Sequence, residues 1–321
     1  MIVDATCAPQ DIRYPQDSSL LNEARENLEG MIDILHDSSC GQKPRTCRQN
    51  ARRSYIKFSK KRKKTFKEIR KTIKSQLQYI RRDLRIVEEF LENGKSLPKW
   101  HTDRLATIRL LYELYEQQLS MYINRTRTVS DRIVSLGQPW IRPIVRGKAK
   151  TNCEFGAKLE LSVSDGYVRL KHTSFDAYNE STNFIDIIER YRVREGHYPE
   201  RVLVDGIYRT RDNLQFFKKN GIQISGKPLG RPSNDASADK KRIRTDEIDR
   251  IEVERQISHA KRSFGLGLIR IRLKETSETS IALSIVVLNL SRIERNLCAV
   301  FNKLLELLTA SWNFRKLTSV Q

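Results

Sequence analysis

Three carboxylates stand in settings suited to metal chemistry. Asp4 follows Ile2-Val3, Asp205 follows Arg201-Val202-Leu203-Val204, and Glu254 lies in Arg250-Ile251-Glu252-Val253-Glu254, seven residues before Lys261. Divalent magnesium prefers oxygen ligands, and enzymes that cut or join phosphodiester bonds hold two such ions about 4 Å apart between carboxylates from distant parts of the fold. The layout is that of a two-metal phosphoryl-transfer site, and it points to a DNA-processing enzyme. Such ligands belong at the C-terminal ends of strands and on a helix facing the sheet edge, where side chains converge on a rigid backbone. Asp4 and Asp205 are expected at strand ends and Glu254 on the helix. Arg250, Glu254 and Lys261 fall at i, i+4 and i+11 of that helix and so share one face. Glu252 is the alternative third ligand. Taken alone, Arg250 and Glu254 are an exposed ion pair worth a few tenths of a kcal/mol; the combination of three settings carries the reading.

The elements that must position these residues fall into two periods. Residues 1–17 read as a first strand followed by a proline-broken segment. Helical spacing then runs through Leu20, Leu21, Ala24, Leu28, Met31, Ile32 and Leu35. A heptad seam follows, Phe66-Ile69-Ile73-Leu77-Ile80-Leu84-Val87-Leu91, and a second runs from Leu105 through Ile108, Tyr112 and Tyr115 to Val129, Ile133 and Leu136. With Asn93-Gly94 and Pro98 between them, two antiparallel helices are expected, the first seam alone being on the order of 40 Å long. From residue 150 the period becomes two: Leu159, Leu161 and Val163 alternate with Lys158, Glu160 and Ser162, and Asp165-Gly166 turns into Tyr167-Val168-Arg169-Leu170. A helix over about 181–195 leads to the strand that ends in Asp205, which implies parallel pairing. A helix near 210–220, a short strand at 222–225, a basic loop over 226–244, a helix holding Glu254 and a last helix over about 277–308 complete the reading. Three regions follow: 1–17 as the first strand of a core, 18–145 as a helical insertion, and 146–321 as the rest of that core.

Composition names the partner. Lys and Arg number 60 against 39 Asp and Glu, for a net charge of +21 and a pI near 9.9, which marks a surface that attracts polyanions such as double-stranded DNA. The densest cation run is Lys60-Lys61-Arg62-Lys63-Lys64, flanked by Arg52, Arg53, Lys57, Lys67 and Arg70. It reads as a phosphate-contacting helix whose binding weakens with salt. Lys227, Arg231, Lys240, Lys241, Arg242 and Arg244 in the loop read the same way more weakly. No apolar run reaches the roughly 18 to 20 residues of a spanning helix; Ile281–Leu290 reads as a buried helix. No leader precedes the first strand, so a cytoplasmic, nucleoid-associated protein with no membrane partner is expected. Five cysteines without Cys-x-x-Cys spacing (Cys7, Cys40, Cys47, Cys153, Cys298) exclude a disulfide framework and a zinc site, and no Ser/His/Asp or Cys/His arrangement stands out. Gly265-Leu266-Gly267 lacks the remaining glycines of a nucleotide loop, His259 lies off the Glu254 face, and Trp140 reads as a core anchor sooner than a base-stacking ring.

Val3-Asp4-Ala5-Thr6-Cys7-Ala8-Pro9, Val204-Asp205-Gly206-Ile207-Tyr208-Arg209-Thr210 and Arg250-x3-Glu254-x6-Lys261 resemble the three signature blocks of the DDE transposases of bacterial insertion sequences. Phe155-Gly156-Ala157-Lys158 and Asp176-Ala177-Tyr178-Asn179-Glu180 resemble the same group, so the resemblance runs over nearly the whole chain. It implies an α/β fold of the ribonuclease-H-like kind, a mixed sheet flanked by helices, with the helical hairpin inserted after the first strand. It further implies that Asp4, Asp205 and Glu254 bind two Mg²⁺ or Mn²⁺ ions, and that Arg250 and Lys261 bind DNA phosphates. The activity implied is nicking of transposon ends followed by attack of the freed 3′-hydroxyl on target DNA, by a protein that self-associates; Tyr112 and Tyr115 are its expected contacts. The family's Tyr three residues before the Arg is Glu247 here. Relatives carry an end-recognition region before the first Asp, and only three residues precede Asp4, so a truncated copy is expected. The rival readings are a non-catalytic basic coiled-coil protein that only binds DNA, an inactive remnant, and a nuclease on the same fold.

Overall fold

The computed structural model describes residues 1–37, 41–95, 103–145, 153–226 and 236–318. These divide into two compact units, Met1–Asp11 with Ile144–Gln321, and Ile12–Pro143.

The first unit is mixed α/β. β1 (Ile2–Pro9) pairs antiparallel with β3 (Cys153–Ser164), in register from Ile2↔Val163 to Pro9↔Gly156. Asp165 and Gly166 both take positive φ, 53° and 77°, as the tight hairpin turn requires, and β4 (Tyr167–Ser174) returns along β3. β5 (Arg201–Val202) pairs parallel with β6 (Gln223–Ile224). Leu203 makes a parallel bridge to Ile2, with the Val3 N–H donating to the Leu203 carbonyl at 2.9 Å. In space the strands therefore run β4–β3–β1–β5–β6, antiparallel on one side of β1 and parallel on the other; the short β2 (Pro143–Val145) also neighbours β3. The expected parallel pairing is present, but β5 makes it with β1 and β6 and not with β4, the strand before its helix.

Alternation along β1 sends Val3 to one face, where it packs with Phe184, Ile187 and Ile188 of α5 (Phe184–Glu195) and Phe217 of α6 (Arg211–Lys219). Phe184 stacks on Phe217 at 5.0 Å between ring centroids. α7 (Ala236–Ser263) packs on β1, and α8 (Lys274–Thr318) packs on β4. β3 departs from the expected one-sided alternation. Glu160 and Ser162 are buried along with Leu159 and Leu161, because strands on both edges and helices on both faces enclose it. At the β1–β3 crossing a Cβ on Gly156 would lie 2.1 Å from the Ala8 carbonyl oxygen, which leaves room for glycine alone.

Two expectations about this unit are corrected. The basic segment 226–244 is not a loop throughout, since α7 begins at Ala236; its Ala, Asp, Lys and Arg content suits a helix once Pro232 is past. Lys241, Arg242 and Arg244 thus lie on α7, whereas Lys227, Arg231 and the Lys240 side chain lie outside the described residues. The apolar run Ile281–Leu290 is buried on one side only: Ile281, Ile285 and Leu288 are covered, while Leu283, Val286 and Leu290 are exposed. No described helix is long and apolar enough to cross a membrane.

The second unit is helical. α1 (Asp17–Leu35) lies along α3 (Phe66–Glu92), and α4 (Asp103–Asn124) packs on both. The core joins Leu21, Leu28 and Ile32 of α1 to Leu77, Ile80, Leu84 and Val87 of α3 and Leu111 and Leu114 of α4. The hairpin expected from two seams is therefore a bundle in which α1 takes the larger share of α3. The second seam is helical only to Asn124. Arg125 adopts φ of 55°, and Ile133 reaches the core from irregular chain whose N–H donates to the Gln117 side chain at 3.0 Å. Tyr112 and Tyr115 are half-buried against this core and do not form a free surface.

α3 opens on a capping box. Thr65 Oγ1 accepts from the Glu68 N–H while Glu68 accepts from the Thr65 N–H, and the Lys61 hydrogen bond with these backbone partners holds Glu68 down to about 2. Asp83 on α3 is fully buried beside Arg82, and burial pushes its carboxyl up to about 6 against the pull of the Arg82 hydrogen bond. The folded chain then holds a proton that the unfolded chain releases near pH 4. Its contribution to stability falls as pH rises from about 4 to about 6 and then levels off. In thermal unfolding at a series of pH values, Asp83→Asn is expected to flatten the decline across that window; an unchanged profile would assign the decline to other groups.

Candidate active site and nucleic-acid interface

Asp205 is held from both sides. Before it, the Val204 N–H donates to Ser225 Oγ at 2.9 Å and Ser225 Oγ donates back to the Val204 carbonyl at 3.1 Å. After it, Gly206–Tyr208 forms a single 3₁₀ turn pinned by Asn213, whose side-chain amide donates to the Tyr208 carbonyl at 2.8 Å. The Asp205 carboxylate caps that turn, accepting from the Gly206 N–H at 2.6 Å, and is 65 % exposed. It stands at the open end of β5, as its place after Val202-Leu203-Val204 leads one to expect.

Asp4 corrects the expectation of a strand end. It is the third residue of β1, because β3 continues the pairing as far as Pro9. As the neighbour of Val3 it points to the other face of the sheet, towards α7. There Arg250 acts on both acids: its guanidinium lies 3.9 Å from Asp205 and draws the Asp4 carboxyl down. The net shift of Asp4 is upward, because burial disfavours its charge and Glu180 and Asp205 repel it, against the Ala5 N–H and Arg250. The bridge between Ile2 and Leu203 thus gathers Asp4 and Asp205, about 200 positions apart in the sequence, under one cation.

α7 is registered against β5 by Arg201, which pairs with Asp246 at 3.2 Å and with Asp249. That register turns Arg250 to the carboxylates and Val253 and Ala260 to the core. Glu254 is exposed one turn beyond Arg250, and Lys261 is half-buried near the end of the helix. Glu252 is drawn elsewhere. Burial raises it, but the hydrogen bonds from Gln256 at 2.7 Å and from Arg255 outweigh that and leave it lowered, with Arg292 at 3.9 Å. Among the described residues no group of three His, Cys, Asp or Glu side chains is close enough to hold a metal ion. The structure therefore brings Asp4, Asp205 and Arg250 together and does not close Glu254 around them.

A cavity of about 380 Å³ opens beside Asp205, lined also by Arg209, Ser225, Asp246, Glu247 and Arg250. Glu247, at the family's Tyr position, lines it; Tyr208 is fully buried against Phe184 and does not take the place of that Tyr. Beneath Tyr208 lies Glu160, fully buried. Burial pushes it up to about 7, with Glu180 adding to the rise and the Asn183 and Tyr208 hydrogen bonds opposing it. Glu160, Glu180 and Ser225 were not legible as parts of this region. Glu180 closes the Asp176–Glu180 segment, but Glu160 looks like an outward residue of an alternating strand. His259 stacks edge-on against Phe264 at 4.8 Å, and Gly265, with φ of 80°, turns the chain out of α7.

In the helical unit the run Lys60–Lys64 is corrected from helix to connection. α2 (Arg48–Ser59) ends before it and the Thr65 cap starts α3 after it, since like charges three and four apart, Lys60 with Lys63 and Lys64, oppose a continuous helix. Lys61 pairs with Glu68, and Lys64 lies over the Phe58 ring at 5.3 Å. Lys60, Arg62 and Lys63 are exposed. Nearby, Arg70 lies over Tyr122 at 4.2 Å from the ring centroid and lines a groove of about 520 Å³ with Tyr14, Phe66, Arg125 and Arg127. Cations interleaved with rings suit a nucleic-acid strand.

The family model described as a transposase DDE domain matches residues 202–291, a span that includes Asp205, Arg250, Glu254 and Lys261 and leaves Asp4 and the helical unit outside. Comparison with curated proteins and with solved structures finds no match. Over residues 202–291, somewhat more than a quarter of the chain, the sequence is therefore similar to a transposase DDE domain.

Proposed function

We propose that this chain cuts DNA at the ends of a mobile element and joins the freed 3′-hydroxyl to target DNA, with Asp4, Asp205 and Glu254 as its catalytic carboxylates. The observation that carries the reading is the convergence of Asp4 and Asp205 across the β1–β5 bridge, with Arg250 of the matched domain between them. A mixed sheet with β1 between antiparallel and parallel neighbours, interrupted after β1 by a helical unit, supports a ribonuclease-H-like core with an insertion over about 18–145.

The donor set suits a hard divalent cation. Asp4 and Asp205 offer oxygen ligands; burial first, then repulsion from Glu180 and Asp205, disfavours the Asp4 charge, and a bound Mg²⁺ or Mn²⁺ would favour it. Asp4 and Asp205 would hold the metal, with Glu254 supplied from α7. When bound, two such ions would activate a water or a 3′-hydroxyl and stabilise charge on the attacking and leaving oxygens. The chain's own residues do the rest. Ser225 and Asn213 fix the backbone on either side of Asp205, Arg201 sets the register of α7, and Arg250 and Lys261 offer positive charge to the scissile strand's phosphates.

The test is incubation of the purified chain with supercoiled plasmid and Mn²⁺ at low salt. Chelator-sensitive nicking with joined products is expected. Nicking without joining would favour the nuclease reading, and binding without either would favour the binding-only reading.

Double-stranded DNA is the proposed partner, with Lys60, Arg62 and Lys63 on its phosphates and Lys61 and Lys64 beside them. Replacing Lys60, Arg62 and Lys63 together by Gln is expected to reduce the slope of log K against log salt by roughly 2 to 3, since each phosphate contact contributes about 0.9. An unchanged slope in filter binding would remove the cluster from the interface.

A further inference from the structure

α8 carries two faces. On one, Ile281, Ile285 and Leu288 are buried, Asn289 donates to the Val168 carbonyl at 2.7 Å and accepts from its N–H at 2.9 Å, and Arg292 lies over Tyr167 at 5.5 Å. The other face has no such cover. Leu283, Leu290, Leu297 and Leu304 recur there every seven residues. Val286, Ile293, Val300 and Leu307 follow each by three, so the pair of rows makes an uninterrupted heptad seam. These eight side chains are 41 to 68 % exposed, and from residue 293 to 309 every side chain on the helix is exposed.

We propose that this seam is the surface through which a second copy of the chain docks, by helix-to-helix coiled-coil packing along α8. A strict 3.5-residue repeat drifts around a straight helix and stays facing one neighbour only if that neighbour is a helix that supercoils with it. The seam leaves on the order of 700 Å² of apolar surface per copy, close to the ~800 Å² per partner of a standard interface and well beyond a scattering of single exposed leucines. Charge does not oppose self-pairing. The positions flanking the seam from 287 to 308 hold one acid, Glu294, and one base, Lys303, beside Val287, Asn289, Asn296, Phe301 and Leu308. Copies packed parallel and in register bring no like charges face to face, and an antiparallel pair sets at most one Glu294 near another. Leucine at the first core position with β-branched residues at three of the four second positions disfavours a parallel two-stranded coil, so the assembly is an antiparallel pair or a higher multiple. The inference goes beyond the catalytic reading and does not depend on it, because it concerns a surface that holds none of the three carboxylates.

The test is light scattering of the full chain after size exclusion, nuclease-treated, without divalent metal or DNA, at about 0.5 M salt to suppress carried-over nucleic acid. The wild-type mass is expected at a multiple of 37.5 kDa. Leu297→Glu with Leu304→Glu is expected to return it to the single-chain mass with the unfolding midpoint of the remainder kept, since neither side chain packs within the chain. Arg295→Glu, on the far side of the helix, should leave the multiple intact. A wild-type mass of one chain, or a multiple that survives the double substitution, would overturn the proposal. The wild-type mass is decisive even if the double variant fails to fold.

Discussion

Asp205→Asn is expected to reduce metal-dependent plasmid nicking by about 10³-fold or more, equivalent to ~4 kcal/mol of transition-state stabilisation, while DNA retention stays within about twofold of wild type. The substitution is chosen for what it keeps. Asn has the size of Asp and still accepts from the Gly206 N–H, so the 3₁₀ turn and the Ser225 tie on Val204 survive. What it removes is the charge that faces Arg250 and repels Asp4. A neutral amide is a poor ligand for a hard cation, and the loss should fall on turnover and not on DNA binding by the exposed cations of the helical unit. Gel retention and nicking measured on the same preparations separate the two. Nicking at the wild-type rate by the variant would exclude Asp205 from catalysis, and parallel loss of both would point to damage of the fold instead.

Arg25→Ala should destabilise the helical unit by about 3 to 5 kcal/mol, the range for stranding one partner of a buried ion pair. Arg25 is fully buried on α1. It pairs with Glu29 one turn on and donates to Asn22 at 2.9 Å, and the Glu29 carboxylate is nearly covered as well. Truncation leaves that carboxylate with Arg48 alone, at 3.2 Å, and opens a cavity between α1 and its neighbours. Replacing Arg25 and Glu29 together by Met and Leu should recover much of the loss, because an apolar pair of similar volume needs no desolvation. A lowered unfolding midpoint for the single variant and a recovered one for the double variant is the expected pattern in calorimetry. A single variant as stable as wild type would mean that water reaches the pair.

These two residues also mark how far the sequence could be read. The place of Asp205 after a short strand and of Arg250, Glu254 and Lys261 on one helix was legible because spacing along short elements is what a sequence displays; the approach of Arg250 to Asp205 was not. The first seam gave α3 and the alternation at 159–163 gave β3 for the same reason. Arg25 was invisible: a cation on an apolar helix face looks like a surface residue until its partner is known to be buried with it. Asp4 reads from the sequence as a strand end, whereas it lies inside β1, because the length of β1 is set by β3, a partner far along the chain. The Lys60–Lys64 run was given to a helix on charge density alone, whereas Thr65 and Glu68 already held the signal for a helix starting after it. The outer seam of α8 was masked by the inner one, since both rows of apolar residues run through Ile281–Leu290 and read together as one buried segment.

The pairing of β1 with β3 has a consequence for the order of events during synthesis. Ile2 meets Val163 and Asp4 meets Leu161, partners about 160 residues later. At a translation rate of roughly 5 to 20 residues per second, the first strand leaves the ribosome on the order of ten seconds before anything exists for it to pair with. The whole of Ile12–Pro143 emerges in the interval, and its local helical contacts can form without waiting. The strand that carries Asp4 must then remain unpaired, with its edge groups and its apolar Ile2, Val3, Ala5 and Ala8 uncommitted, until β3 arrives and β5 follows. Approach of Asp4 to Asp205 is therefore a late event of folding, and a nascent chain stalled before residue 205 would hold the helical unit with Asp4 still without that neighbour.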